Sequence, residues 1–115
     1  MENYDIIRRK LLSMISLSMR AGRITMGEDG CVKTLQNGRA KLILIAADAS
    51  QNTRKKFADK SAFYDVPCYC FFTKGEIHAA IGKSNRATLS ITCDNFSARM
   101  LALFKEMKVM QYCHN

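Results

Sequence analysis

Gly27, at the head of Gly27-Glu28-Asp29-Gly30-Cys31-Val32-Lys33, opens the segment with the most chemistry in this chain. Glycine has no Cβ, so another backbone can approach it closely. The first N–H groups of a helix have no intrahelical acceptor, and with the positive end of the helix dipole they favour an anionic guest. Lys33 follows about two helical turns later, near enough to reach past the helix end. The formal net charge is +8, which makes nucleic-acid phosphate the natural anion. Much of the positive charge collects in Arg8-Arg9-Lys10, Arg20/Arg23, Arg39/Lys41, Arg54-Lys55-Lys56 and Lys83/Arg86. Basic residues also serve solubility alone. Here several stand at element ends, where loops present side chains, which points to nucleic acid.

Other arrangements decline the chemistry they suggest. Gly82-Lys83-Ser84 is no phosphate loop, because Ile77 stands where the motif needs its first glycine and a strand, not a helix, should follow. Asp48 ends an apolar run as a receiver-domain phosphoacceptor would. The acidic pair that would hold magnesium is missing, and Asp48 reads as a turn-stabilising residue. Cys68 and Cys70 share one face of a strand, with Cys93 and Cys31 elsewhere, but zinc sites prefer pairs with two to four residues between them plus a second pair. Core filling is the expected role of these cysteines, with no metal. His78 and His114 have no partner at catalytic or ligand spacing. No nucleophile–base pair or paired carboxylates stand out, so no enzyme and no cofactor is expected.

The elements that must carry these residues follow from periodicity. Ile7, Leu11 and Ile15 form a helical stripe that Gly22 ends, and Arg23–Met26 reads as a short link. A helix from about Gly27 to Asn37 is closed by Asn37-Gly38. The unbroken apolar run Leu42–Ala47 fits a strand covered on both faces. Ser50 is placed to cap a helix from about Gln51, which Asp65-Val66-Pro67 breaks before a strand over Cys68–Phe72. Thr73-Lys74-Gly75-Glu76 has capping-box spacing and starts a helix that Gly82 stops. After the polar loop Lys83–Arg86, Leu89, Ile91 and Cys93 alternate with Thr88, Ser90 and Thr92 as a strand. Asp94 is placed to cap a last helix, buried along Phe96, Met100, Leu103, Phe104 and Met107. Strands alternating with helices predict an α/β protein, a three-layer α/β/α sandwich around a small central mixed sheet.

With 115 residues, 48% of them apolar, this is one domain over 1–115 with room for a real core. The apolar run Leu42–Ala47 is too short to cross a bilayer, and Met1-Glu2-Asn3-Tyr4-Asp5 does not open a secretory signal. Five cysteines without a disulfide-like pattern fit a reducing compartment, so a cytoplasmic monomer is expected.

The element order, with Gly27-x5-Lys33, Arg39-Ala40-Lys41-Leu42, Ile45-Ala46-Ala47-Asp48-Ala49, Val66-Pro67 and Ala80-Ile81-Gly82-x3-Arg86-Ala87, resembles the kink-turn-binding ribosomal protein family. This is the family of the archaeal protein L-seven-Ae and the eukaryotic L-thirty-e, and the chain looks closest to its small bacterial members. The resemblance spans roughly Ile6 to Phe104. It implies the α/β/α fold, no catalysis, and binding to a sharply bent RNA with tandem sheared G·A pairs. The partner would be structured RNA, ribosomal RNA among the candidates, in a ribonucleoprotein.

By position, the family's Gly-x-Asn-Glu-x-x-Lys motif falls on Gly27, Asp29, Gly30 and Lys33. Asp29 keeps an acceptor but loses the amide donor, and Gly30 replaces the glutamate that reads guanine edges. Asn37 takes the place of a basic residue, with Arg39 nearby as a substitute. The second contact loop falls on Lys83-Ser84-Asn85, with Arg86 beside it, and its polar side chains suit phosphate or base edges. Ser50 and Arg54, in the turn after Asp48 and the helix it opens, complete the expected surface. The other reading these departures permit is a protein-interaction module that keeps the fold without specific RNA recognition.

Overall fold

The computed structural model describes residues 2–82 and 86–112. Along the chain run α1 (Glu2–Arg20), β1 (Ile24–Met26), α2 (Glu28–Gln36), β2 (Leu42–Ile45), α3 (Gln51–Phe63), β3 (Cys68–Cys70), α4 (Lys74–Ile81), β4 (Thr88–Ile91) and α5 (Asp94–Glu106). The strands form one mixed sheet in the order β1-β4-β2-β3. β2 and β3 are parallel, as a helical crossover requires, and β4 is antiparallel to both of its neighbours. α2 and α3 pack side by side on one face of this sheet, while α1 packs on α4 and α5 across the other. The expected three-layer α/β/α architecture is the one observed.

All four residues of β2 are buried, as the unbroken apolar run requires of a strand covered on both faces. β4 is buried along its whole length too, its polar residues included. Its alternation therefore separates two covered faces: Leu89 and Ile91 belong to the apolar core, while the Ser90 hydroxyl shares a hydrogen bond with Thr34 of α2 (2.8 Å). Buried hydroxyls are tolerated when paired in this way. On the other face, Phe104 of α5 stacks on Tyr69 of β3, their ring centroids 4.1 Å apart. Burial there pushes the Tyr69 hydroxyl pKa up.

The helix signals are realised at atomic level. Ser50 Oγ accepts from the Thr53 N–H (3.1 Å), and Thr73 and Glu76 close a reciprocal capping box. Gly82 ends α4 in the left-handed conformation, φ +74°, which glycine adopts without a Cβ clash. Asp48 does stabilise a turn, its Oδ1 accepting the Lys74 N–H (2.9 Å) at the start of α4.

Three expectations are corrected. Arg23–Met26 is not a plain link, because Ile24–Met26 forms the edge strand β1, paired antiparallel with β4. Three half-buried residues carry too little periodicity to signal a strand, and their partner lies far away in sequence. β2 and β3 end earlier than the apolar runs suggested, at Ile45 and Cys70, since Ala46–Ala47 and Phe71–Phe72 already belong to the loops beyond. Asp94 is the first residue of α5 rather than its cap. The cap is Cys93, without a side-chain hydrogen bond, and the Asp94 carboxylate lies 3.7 Å from Lys41 Nζ.

Candidate nucleic-acid interface

The strand registers bring Met26, Ile45, Cys70 and Thr88 to one end of the sheet. Backbone hydrogen bonds knit the loops there: Gly27 N–H to Thr88 C=O (3.1 Å), Ala46 N–H to Ala87 C=O (2.8 Å) and Ala47 N–H to Phe72 C=O (2.7 Å). Because β1, β2 and β3 are each followed by a helix, the N-termini of α2, α3 and α4 all open at this end. Each brings a row of N–H groups and the positive end of a helix dipole. α3 and α4 are capped by Ser50 and Thr73, whereas α2 begins at Gly27 with no side-chain cap. Of the three, the Gly27 start is the one left open to an external anion.

Gly27 is set by its backbone and stands beside Arg86. Its φ of +85° is a conformation that residues with a Cβ rarely adopt, and an added Cβ would sit 3.5 Å from the Arg86 guanidinium. Arg86 therefore lies directly against the open helix start. Lys83, Ser84 and Asn85 lie outside the described residues, as does His114.

Lys33 stands on the exposed side of α2, over a shallow groove of about 420 Å³ between α2 and α3, with Asp29, Lys56 and Lys60 among its lining residues. Lys56 and Lys60 are four residues apart on α3 and so share a face. The spacing was readable in the sequence, but only the packing of α3 on α2 sets that face beside Lys33. Glu28 bridges the two helices: its carboxylate accepts from Thr53 Oγ1 (3.0 Å) and Lys56 Nζ (3.1 Å). The Lys56 hydrogen bond, followed by that from Thr53, holds the Glu28 carboxyl below the usual carboxylate range. The Ser50 hydroxyl continues the chain to Thr53 (3.0 Å), so Ser50 is occupied as both cap and relay.

Arg54, one turn into α3, is half-buried, and its Nε makes no hydrogen bond among the described residues. Its charge reaches Cys70, where burial raises the thiol pKa and Arg54 opposes the rise. Asn37 and Arg39 stand apart from this assembly. Ten residues of α-helix carry Asn37 about 15 Å from Gly27. There the Asn37 carboxamide accepts the Arg39 N–H (3.1 Å), closing the turn beyond the helix. The structure thus groups Gly27, Asp29, Gly30, Lys33, Ser50, Arg54 and Arg86, and sets Asn37 and Arg39 toward the opposite end of α2.

Gly30 sits under the half-buried Thr25 of β1, and Cys31, behind it, is fully buried with its thiol directed at the Thr25 carbonyl (3.6 Å). Cys68 is buried in β3, Cys70 is half-buried, and Cys93 caps α5. Among the described residues no group of three or more histidines, cysteines or carboxylates is placed to hold a metal ion, and no helix is long and apolar enough to cross a membrane.

A mixed four-stranded sheet lies between two helical layers, with three helix starts and a basic groove at one end, which defines a small α/β/α fold. The chain belongs to the ribosomal protein L7Ae/L30e/S12e/Gadd45 family, whose model matches residues 9–102. It is 39% identical to the RNA-binding protein YlxQ of Enterococcus faecium, over 85% of this chain and 94% of that one. A Bacillus halodurans protein of unknown function superposes with a TM-score of 0.81 at 33% identity, covering 84% of this chain and 97% of that chain. The Giardia lamblia 15.5kD RNA binding protein shares the fold at 20% identity, with a TM-score of 0.73 over 88% and 89% of the two chains.

Proposed function

We propose that this protein is a non-catalytic RNA-binding protein of a ribonucleoprotein assembly, acting in the cytoplasm as a monomer. It grips a sharply bent, structured RNA at the end of the sheet where α2 begins. The observation that carries this reading is the uncapped start of α2 at Gly27, with the Arg86 guanidinium laid against it. A phosphate there would meet free N–H groups, a helix dipole and a fixed cation together. Lys33 and the lysines of α3 extend the positive surface along the α2–α3 groove. Lys83, Ser84 and Asn85, next to Arg86 in sequence, would add further RNA contacts, while Asn37 and Arg39 would touch only a longer RNA. The likeness to the RNA-binding protein YlxQ of Enterococcus faecium supports RNA as the partner. No metal or cofactor has a part in this binding.

Phosphate contacts supply affinity, and base edges supply choice. Asp29, exposed in the first turn of α2, offers a carboxylate acceptor to a base edge, while Gly30 offers none. Recognition should therefore rest more on the bend and its phosphates than on guanine edges. The test is titration calorimetry with a kink-turn RNA, an unbent RNA duplex and a DNA duplex over a salt series. Preference for the bent RNA, with a log–log salt slope of roughly −3.5 to −4.5 for about five neutralised phosphates, is expected. Equal affinity for all three would reject the reading in favour of an interaction module without RNA specificity.

A further inference from the structure

α1 and α5, on the sheet face opposite the α2–α3 groove, leave a second depression between them of about 640 Å³. Its floor is apolar: Met14 is buried, Leu103 half-buried, and Ile6 is 48% exposed. Its rim carries Arg9, Lys10 and Arg99, all exposed, and none of the three is in an ion pair among the described residues. No lining residue is acidic. The described residues beyond α5 run to β3, where the Tyr112 N–H meets the Cys68 carbonyl (2.7 Å), and none of them lines the groove.

We propose that this groove docks an acidic segment of a protein partner, one that presents apolar side chains at helical spacing to Ile6, Met14 and Leu103 and carboxylates to Arg9, Lys10 and Arg99. The volume lies within the range of ligand-binding clefts, and an apolar furrow between two helices is the usual seat of an amphipathic helix. Charge chooses the occupant. Three unpaired cations around an apolar floor match an acidic helix and repel a basic one. RNA fits less well, because its phosphates would leave the apolar floor uncovered and no lining residue is aromatic to stack a base. The groove and the Gly27 end lie on different helical layers, so one protein molecule can hold RNA and a protein partner together.

The test uses the full chain, isotope-labelled, and a synthetic helix-forming peptide of about four turns. Leucines line one face of the peptide, and glutamates occupy the rest. Addition of this peptide should shift the methyl resonances of Ile6, Met14 and Leu103 and leave those around Gly27 in place. Ile6→Glu, or separately Arg9→Glu with Arg99→Glu, should weaken binding by roughly tenfold or more, since a central anchor is worth above about 1 kcal/mol. A peptide with lysines in place of the glutamates should not bind. Ile6 is half-exposed, so its replacement leaves the core intact. The surface-charge pair provides an independent check on folding. The proposal fails if the acidic peptide moves none of the three methyls or if the lysine peptide binds as well. It also fails if a single-stranded oligouridine shifts the same methyls, or if Ile6→Glu abolishes a self-association seen by sedimentation, which would make the occupant a second copy.

Discussion

A Cβ built on Gly30 would lie 2.6 Å from Cγ2 of Thr25, so the first turn of α2 and the edge strand β1 meet at a position with room only for glycine. From the sequence, Gly30 looks like a helix residue waiting to be improved, because replacing it inside a helix should recover up to about 1 kcal/mol. The contact reverses that expectation. Thr25 is β-branched and half-buried, so its χ1 cannot swing away freely. Overpacking typically costs about 1–3 kcal/mol, more than the propensity gain. Gly30→Ala should destabilise the protein by about 1 kcal/mol in urea denaturation. In a Thr25→Ser background, which removes Cγ2, it should become neutral or stabilising. If Gly30→Ala alone raises stability, the contact is not limiting. The same clash governs the double change Asp29→Asn with Gly30→Glu, which would restore the family's base-reading pair. It should sharpen kink-turn binding only when Thr25→Ser accompanies it.

Glu28 holds Lys56 at 3.1 Å and so spends one of the groove's cations within the protein. Glu28→Gln should release Lys56 to a phosphate and steepen the log–log salt slope of RNA binding by about 0.7 to 0.9. The cost to folding should stay near 0.2–1 kcal/mol, because the pair is partly exposed. The pH dependence has a definite sign. The carboxyl sits below its unfolded value, so the bond's contribution is complete above that value and is lost as pH falls through the folded one. An NMR titration should find Glu28 ionising at lower pH than in Lys56→Met. Coincident titration curves in the two proteins would show the hydrogen bond to be absent in solution.

Most of the helix-end signals were legible, because a cap is a local event, although Asp94 proved to be the first residue of α5 and not its cap. Ser50, Thr73-Glu76 and Gly82 declare their roles within four residues of chain, and each is found as read. The Leu42–Ile45 strand was legible for a related reason, since burial on both faces leaves an unbroken apolar run. β1 was not legible, because its pairing with β4 joins residues far apart in sequence and each Ile24–Met26 side chain is only half-covered. The site divided along the same line. Gly27 and Lys33 belong to one helix and could be read together, whereas Arg86 against Gly27, and Lys56 and Lys60 beside Lys33, are products of tertiary packing.

Position along α2 should grade the effect of substitutions on RNA binding. Lys33→Ala and Arg86→Ala remove cations from the Gly27 end and the groove beside it, and each should weaken binding to any bent RNA and reduce the salt slope by about 1. Asn37→Ala and Arg39→Ala act toward the far end of α2, where the two residues close a turn on each other. They should leave the slope for a short RNA unchanged. Filter binding over a salt series reads all four. A loss for Arg39→Ala equal to that for Lys33→Ala would move the interface away from the sheet end.

Cys31 gives the clearest pH prediction on the stability side. It is fully buried beneath Gly30 and Thr25, and burial pushes its thiol up to about 12. The folded value lies above that of an unfolded cysteine, about 8.5. The neutral thiol's contribution is therefore complete below the unfolded value and is lost as pH rises toward the folded one. In that window this one group should reduce stability by about 1.4 kcal/mol per pH unit. Urea denaturation at a series of alkaline pH values should show the decline, and Cys31→Ala should shallow it by one proton's worth while lowering stability at neutral pH through the cavity it leaves. The same burial should protect the thiol from iodoacetamide until the protein unfolds. Parallel pH profiles for the two proteins, or alkylation of Cys31 in the native state, would show that the thiol is not shielded beneath α2.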